Sequence, residues 1–123
     1  LLSNEEIDLL RRIREKKGRI IYAPLAKVAH LVEAKRLTRT WFRKRAAWQA
    51  VSDFTMDPQR FAAKVKEHWH RATLYFNKLP PHLRTINGLV HDTDDPEMFR
   101  LQIGACYTMT SAMLAGLEDI TLD

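Results

Sequence analysis

Helix breakers are the feature that most constrains this chain. Glycine and proline together occupy nine of 123 positions, four and five respectively. Most of them punctuate rather than interrupt. Gly18, Pro24, Pro58, the Pro80-Pro81 pair, Gly88 and Pro96 separate long stretches of good helix formers. No run of β-branched residues alternates over a useful length; Gly18-Arg-Ile-Ile-Tyr-Ala23 comes closest and is too short to found a sheet. The expected fold is therefore all-α, a single-domain bundle of about five helices spanning 1–123.

The punctuation and the apolar phase give the expected helices. The first runs from Asn4 to Lys17, with Ser3 and Glu6 spaced as a capping box and Ile7, Leu10 and Ile13 as its apolar face. A second starts at Pro24 with Leu25, Val28, Ala29 and Val32 on one stripe. A third carries Leu37, Trp41, Trp48 and Val51 on one face, expected to point inward. Trp41 lies nine residues after Val32, about half a turn out of phase, so a turn is expected near Lys35–Thr38. A fourth opens at Asp57-Pro58 and carries Phe61, Val65, Trp69, Ala72, Phe76 and Leu79 up to Pro80. A short turn over 81–88 follows. The last helix opens at Asp95-Pro96-Glu97, with Phe99, Ile103, Cys106, Met113 and Leu117 on its core side.

Composition, 46% hydrophobic and 28% charged, excludes a disordered chain. Cys106 is the only cysteine, which excludes an internal disulfide and a four-cysteine metal site. No apolar run reaches the roughly 18 residues that span a bilayer, and the start lacks the cationic region and cleavage site of a secretory leader. A cytoplasmic location and no membrane partner are expected.

Charge is unevenly distributed. Residues 1–50 hold thirteen Lys/Arg against five Asp/Glu, whereas residues 51–123 hold seven against ten. A positive half of this kind attracts polyanions. On the third helix Arg36, Arg39 and Arg43 share the side away from the tryptophans, extended by Ala46, Ala47 and Ala50. Small residues there admit a phosphate backbone or another helix. Arginine forks match phosphate oxygens. Arg11, Arg12, Arg14, Lys16, Lys17 and Arg19 would join them in one patch if the two helices are neighbours, with Arg45 and Lys44 at the margin. Phe42 is expected to pack on the first helix. The main expectation is thus a non-enzymatic binder of DNA or RNA backbone, either a DNA-binding regulator or an accessory subunit of a nucleoprotein complex. The stretch from Pro24 to Arg45 has a helix-turn-helix outline but lacks the turn glycine, and Gln49 lies too far along to read bases.

Two other classes stand beside it. From Leu101 to Leu117 the last helix is uncharged and rich in small residues, which suits a central helix or, through residues 97–117, a homo-oligomer or protein partner. His91-Asp92, followed by Asp94 and Asp95 and preceded by His68 and His70, resembles the HD-type metal phosphohydrolases, which would imply a divalent metal activating water. His68 and His70 are two apart and diverge on a helix, so they cannot share a metal. With no glycine-rich phosphate loop and no nucleophile elbow, no catalytic residue, metal ligand or cofactor is assigned.

Overall fold

The computed structural model describes residues 3–120. Its regular structure is α1 (Glu5–Glu15), a 3₁₀ turn (Ala34–Arg36), α2 (Arg39–Met56), α3 (Pro58–Ala62), α4 (Val65–Lys78), a second 3₁₀ turn (Pro81–Leu83), α5 (Ile86–Val90) and α6 (Pro96–Ile120). Among the described residues there is no strand, so the protein is all-α. No described helix is long and apolar enough to cross a membrane.

Side-chain caps set most helix starts. The Thr38 hydroxyl accepts from Trp41 N at 3.2 Å, placing the expected turn just before α2. Asp57 accepts from Arg60 N at 3.1 Å with Pro58 in the first turn. Thr85 caps α5 through Gly88 N at 3.0 Å, and Asp95 takes Glu97 N at 2.9 Å at the start of α6.

α6 is the central element. α2 packs along one side and α4 along the other, with α3 and α5 filling the ends. α4 runs antiparallel to α6, since Leu79 meets Leu101 while Tyr75 lies over Gly104. α2 runs in the same direction as α6, with Arg43 against Gln102 and Asp53 against Tyr107. The core cluster is Leu79, Leu89, Leu101 and Ala105, flanked by Tyr75, Phe76 and Met109. Ala50, Ala105, Ala112 and Ala115 are completely buried. Helices lined with such small side chains approach closely, and contact density takes the place of large buried groups. Glycine matters at two of these approaches. A β-carbon on Gly104 would overlap the Tyr75 ring, and one on Gly88 would overlap the Leu83 carbonyl.

Five expectations change. The capping box at Ser3 and Glu6 does not form: Asn4 precedes α1 with φ 100° and the Ser3 hydroxyl bonds Gln49 and Ser52 instead. The helix from Pro24 is absent, and with it the helix-turn-helix outline. Leu25, Val28 and Leu31 are 90%, 91% and 87% exposed; nothing covers the stripe, and a helix of about ten residues does not stand alone in water. The fourth helix is broken at Ala63–Lys64 into α3 and α4, which lets Phe61 stack on His68 at 4.3 Å and meet Phe54 at 5.8 Å. Trp69 on its stripe is exposed.

The face of α2 is also reversed. Its tryptophan side is the more open one, with Leu37 65% and Trp48 46% exposed and Trp41 and Val51 half-buried, while Arg43 and Ala50 are buried. The small-residue side wins because it lets α6 come within close-packing distance, which a tryptophan side would prevent. On α6, the buried positions are Leu101, Gln102, Ala105, Thr108, Ser111, Ala112 and Ala115, while Met113 and Leu117, expected inside, are exposed.

Candidate nucleic-acid interface

The expected arginine triad is disassembled by its own chain. Arg43 is carried inward by α2, 7% exposed, with Nη1 on Gln102 Oε1 at 3.4 Å, Nη2 on Thr40 Oγ1 at 3.5 Å and Asp92 at 3.8 Å. This overturns its outward placement. Arg39 is engaged by Asp94 at 2.8 Å and Asp92 at 3.9 Å. Arg36 lies over the Trp41 ring, its guanidinium carbon 5.1 Å from the centroid. Arg45 is half-buried, with Nη1 enclosed and unpartnered, and Lys44 is exposed. Phe42 packs edge-on against Trp41 and against Phe99 of α6, not on the first helix.

The basic end of α1 is a separate patch. Arg11 pairs with Asp8 at 2.8 Å and with Glu15 at 3.9 Å, and Arg12 with Asp8 at 3.0 Å. Arg14, Lys16, Lys17 and Arg19 are exposed and have no carboxylate partner among the described residues. α1 is pinned only at its start, to the 49–53 turns of α2, and Arg11 shares a cleft with Thr55 and Met56 at the far end of α2. Arg39 lies fourteen residues earlier on α2 than Asp53, about 21 Å along the axis. That is more than two Debye lengths, each about 8 Å at physiological salt, so the two patches act independently.

The pin itself escaped the sequence reading. Asp53 Oδ1 accepts from Asn4 Nδ2 at 2.7 Å and Gln49 Nε2 at 2.8 Å, and Asp53 Oδ2 accepts from the Tyr107 hydroxyl at 2.7 Å. Gln49 Nε2 also bonds Asn4 Oδ1, while Ser52 Oγ accepts from Ser3 N. Burial, then the bond to Asp53, pushes the Tyr107 phenol up to about 12. With both its oxygens held by internal donors, Asp53 acts as a lock between α1, α2 and α6 rather than as a base. A second polar lock is Gln102, fully buried, whose Nε2 donates to the carbonyls of Gly88 at 2.9 Å and His91 at 2.7 Å. These residues carry no charge pattern or short spacing, so sequence alone offered no signal for them.

The histidine–carboxylate set does not converge. Asp92 and Asp94 face Arg39, His68 stacks on Phe61, and among the described residues no three His, Cys, Asp or Glu side chains gather to hold a metal. Burial lowers the His68 pKa and raises that of Cys106. A groove of about 430 Å³ between α4 and α6 is lined by Arg71, Leu74, Tyr75, Lys78, Gly104, Tyr107 and Thr108; Arg71 there is held by Glu67 at 2.6 Å.

Comparison with family models, with curated proteins and with solved structures found no match.

Proposed function

We propose that the chain is a non-enzymatic binder of nucleic-acid phosphate backbone. Its contact surface is the end of α1 and the loop beyond it, not the start of α2. One observation supports this choice. Arg14, Lys16, Lys17 and Arg19 are exposed and unpaired among the described residues, whereas Arg39 and Arg43 are engaged by Asp92 and Asp94. Only the free cations can exchange small counterions for phosphates without first breaking an internal pair.

Four cations neutralising four phosphates give a salt slope of about −3 to −4 in log affinity against log salt, and modest affinity at physiological salt. Nothing on this surface resembles base readout, because its side chains are Lys and Arg without neighbouring Asn or Gln. A role as an accessory subunit contacting backbone fits that chemistry better than sequence-specific regulation.

The test is fluorescence anisotropy against duplex and single-stranded DNA and RNA over a salt series. Replacing Arg14, Lys16, Lys17 and Arg19 together by Gln should abolish most of the salt slope, while Arg39→Gln should leave affinity unchanged. A quadruple variant that binds as tightly as the parent would sink the proposal.

A further inference from the structure

The segment joining α1 to α2 holds apolar side chains with nothing over them. Ile20, Ile21, Tyr22, Leu25, Val28 and Leu31 are 47%, 76%, 86%, 90%, 91% and 87% exposed. Scattered exposed hydrophobics are ordinary; six within twelve residues mark a contact surface. The backbone is equally uncommitted. Among the described residues, its only backbone–backbone hydrogen bonds from Arg19 to Val32 are Ala26 N to Ala23 O and Lys27 N to Leu25 O, both 3.0 Å. Between Glu15 and Glu33 there is no carboxylate but four cations, Lys16, Lys17, Arg19 and Lys27.

Three arguments decide what such a segment meets. The first is charge. The carboxylates nearest in sequence, Asp8 and Glu15, are held by Arg11 and Arg12, and the exposed pair Asp92 and Asp94 by Arg39. On a second copy these four carboxylates are already paired, whereas an anionic bilayer presents unpaired phosphates along the whole length of the segment. The second is shape. Ile20, Ile21 and Tyr22 are consecutive, so they point in different directions; a fluid layer rearranges around side chains that a groove of fixed shape does not fit. The third is phase. Wound as a helix from Pro24, the chain places Leu25, Val28, Ala29, Leu31 and Val32 within an arc of about 160° and Lys27 and His30 opposite.

We propose that residues 16–32 are a peripheral lipid-contact segment that docks on an anionic bilayer surface and becomes helical from Pro24 as it does so. The aliphatic side chains enter the acyl boundary, Tyr22 sits at its edge, and Lys16, Lys17, Arg19 and Lys27 reach the headgroup phosphates along their methylene stems. Helix formation there supplies the backbone hydrogen bonds that the segment lacks in water. This is contact with one leaflet, not a crossing. It goes beyond the nucleic-acid reading because the aliphatic side chains carry it, although both polyanions would compete for Lys16, Lys17 and Arg19.

The experiment is co-sedimentation and far-UV circular dichroism of the full chain with vesicles of phosphatidylcholine alone and of phosphatidylcholine mixed with phosphatidylserine. Binding and a gain of helix should appear only with phosphatidylserine. Leu25→Ser combined with Leu31→Ser changes two side chains that are free in the unbound protein, so folding is spared. Vesicle binding should fall roughly a hundredfold, about tenfold per leucine, with nucleic-acid binding unchanged. Three results overturn the proposal: no binding to anionic vesicles, undiminished binding by the double variant, or concentration-dependent self-association that the double variant abolishes, which would make a second copy the occupant. The quadruple Gln variant should weaken both kinds of binding, because three of its cations are shared, so the leucine pair is the variant that separates the lipid reading from the nucleic-acid one.

Discussion

Arg43 is where charge pattern and packing disagree most, and substituting it separates them. The guanidinium is 7% exposed, yet its best contacts are long: 3.4 Å to Gln102, 3.5 Å to Thr40 and 3.8 Å to an Asp92 carboxylate that is itself 77% exposed. At that distance the attraction is about 1 kcal/mol in water and about 4 at the effective dielectric of a protein surface. Removing a cation from water costs several kcal/mol. The charge therefore comes close to break-even, and the buried stem is what stabilises. Arg43→Met, which keeps the stem and loses the charge, should change stability by less than about 1 kcal/mol in either direction. Arg43→Ala loses two methylenes and the guanidinium and leaves a void, a cost of about 2–3 kcal/mol. In urea unfolding followed by circular dichroism, with an m-value of about 1–3 kcal/mol/M, the alanine midpoint should drop by about 1 M and the methionine midpoint by less than about 0.5 M. Both variants should bind nucleic acid as the parent does. Methionine as damaging as alanine would mean that the charge itself stabilises; a tenfold loss of binding in the methionine variant would return Arg43 to the contact surface.

Three further outcomes follow from the packing. Tyr107→Phe should cost about 1–2 kcal/mol by removing the bond to Asp53. Because the folded phenol sits near 12 against an ordinary 10.0, the unfolded chain releases that proton first. Parent stability should therefore fall as pH rises from about 10 to 12, and the Phe variant should show a flatter profile in thermal melts. Gly104→Ala should destabilise by about 1 kcal/mol, since overlap with Tyr75 outweighs the gain in helix propensity; in a Tyr75→Leu background the sign should reverse, and a loss there too would rule out the ring as the cause. Burial holds the His68 pKa below 6.5, so protonation opposes folding and stability should fall as pH drops below about 6.5. Urea midpoints of His68→Phe measured at neutral and acid pH should lack that part of the decline.

Much of the fold was legible locally. Asp57-Pro58 and Asp95-Pro96 mark helix starts, and Pro80-Pro81 a helix end, because caps and proline act within one turn and need no partner. The sparse glycine and proline and the absence of alternating β-branched runs were enough for the all-α class. The basic half was legible too, as a count. What each cation does was not. Helical phase places Arg43 opposite Trp41 and Trp48, but it does not say which of the two sides meets α6. Alanine decided that, because close approach of α6 to Ala50 is worth more than covering Leu37 or Trp48, and Arg43 is buried as a consequence. Similarly, Leu25, Val28 and Val32 make a helical stripe on paper, yet a stripe of that length becomes a helix only against a surface, and none of the described elements supplies one. The sequence determined periods, caps and charge totals, which are properties of neighbours along the chain. Only the tertiary structure decided which faces are covered and which charges remain free, because those depend on contacts across forty to sixty residues, such as Asn4 with Asp53 and Arg43 with Gln102.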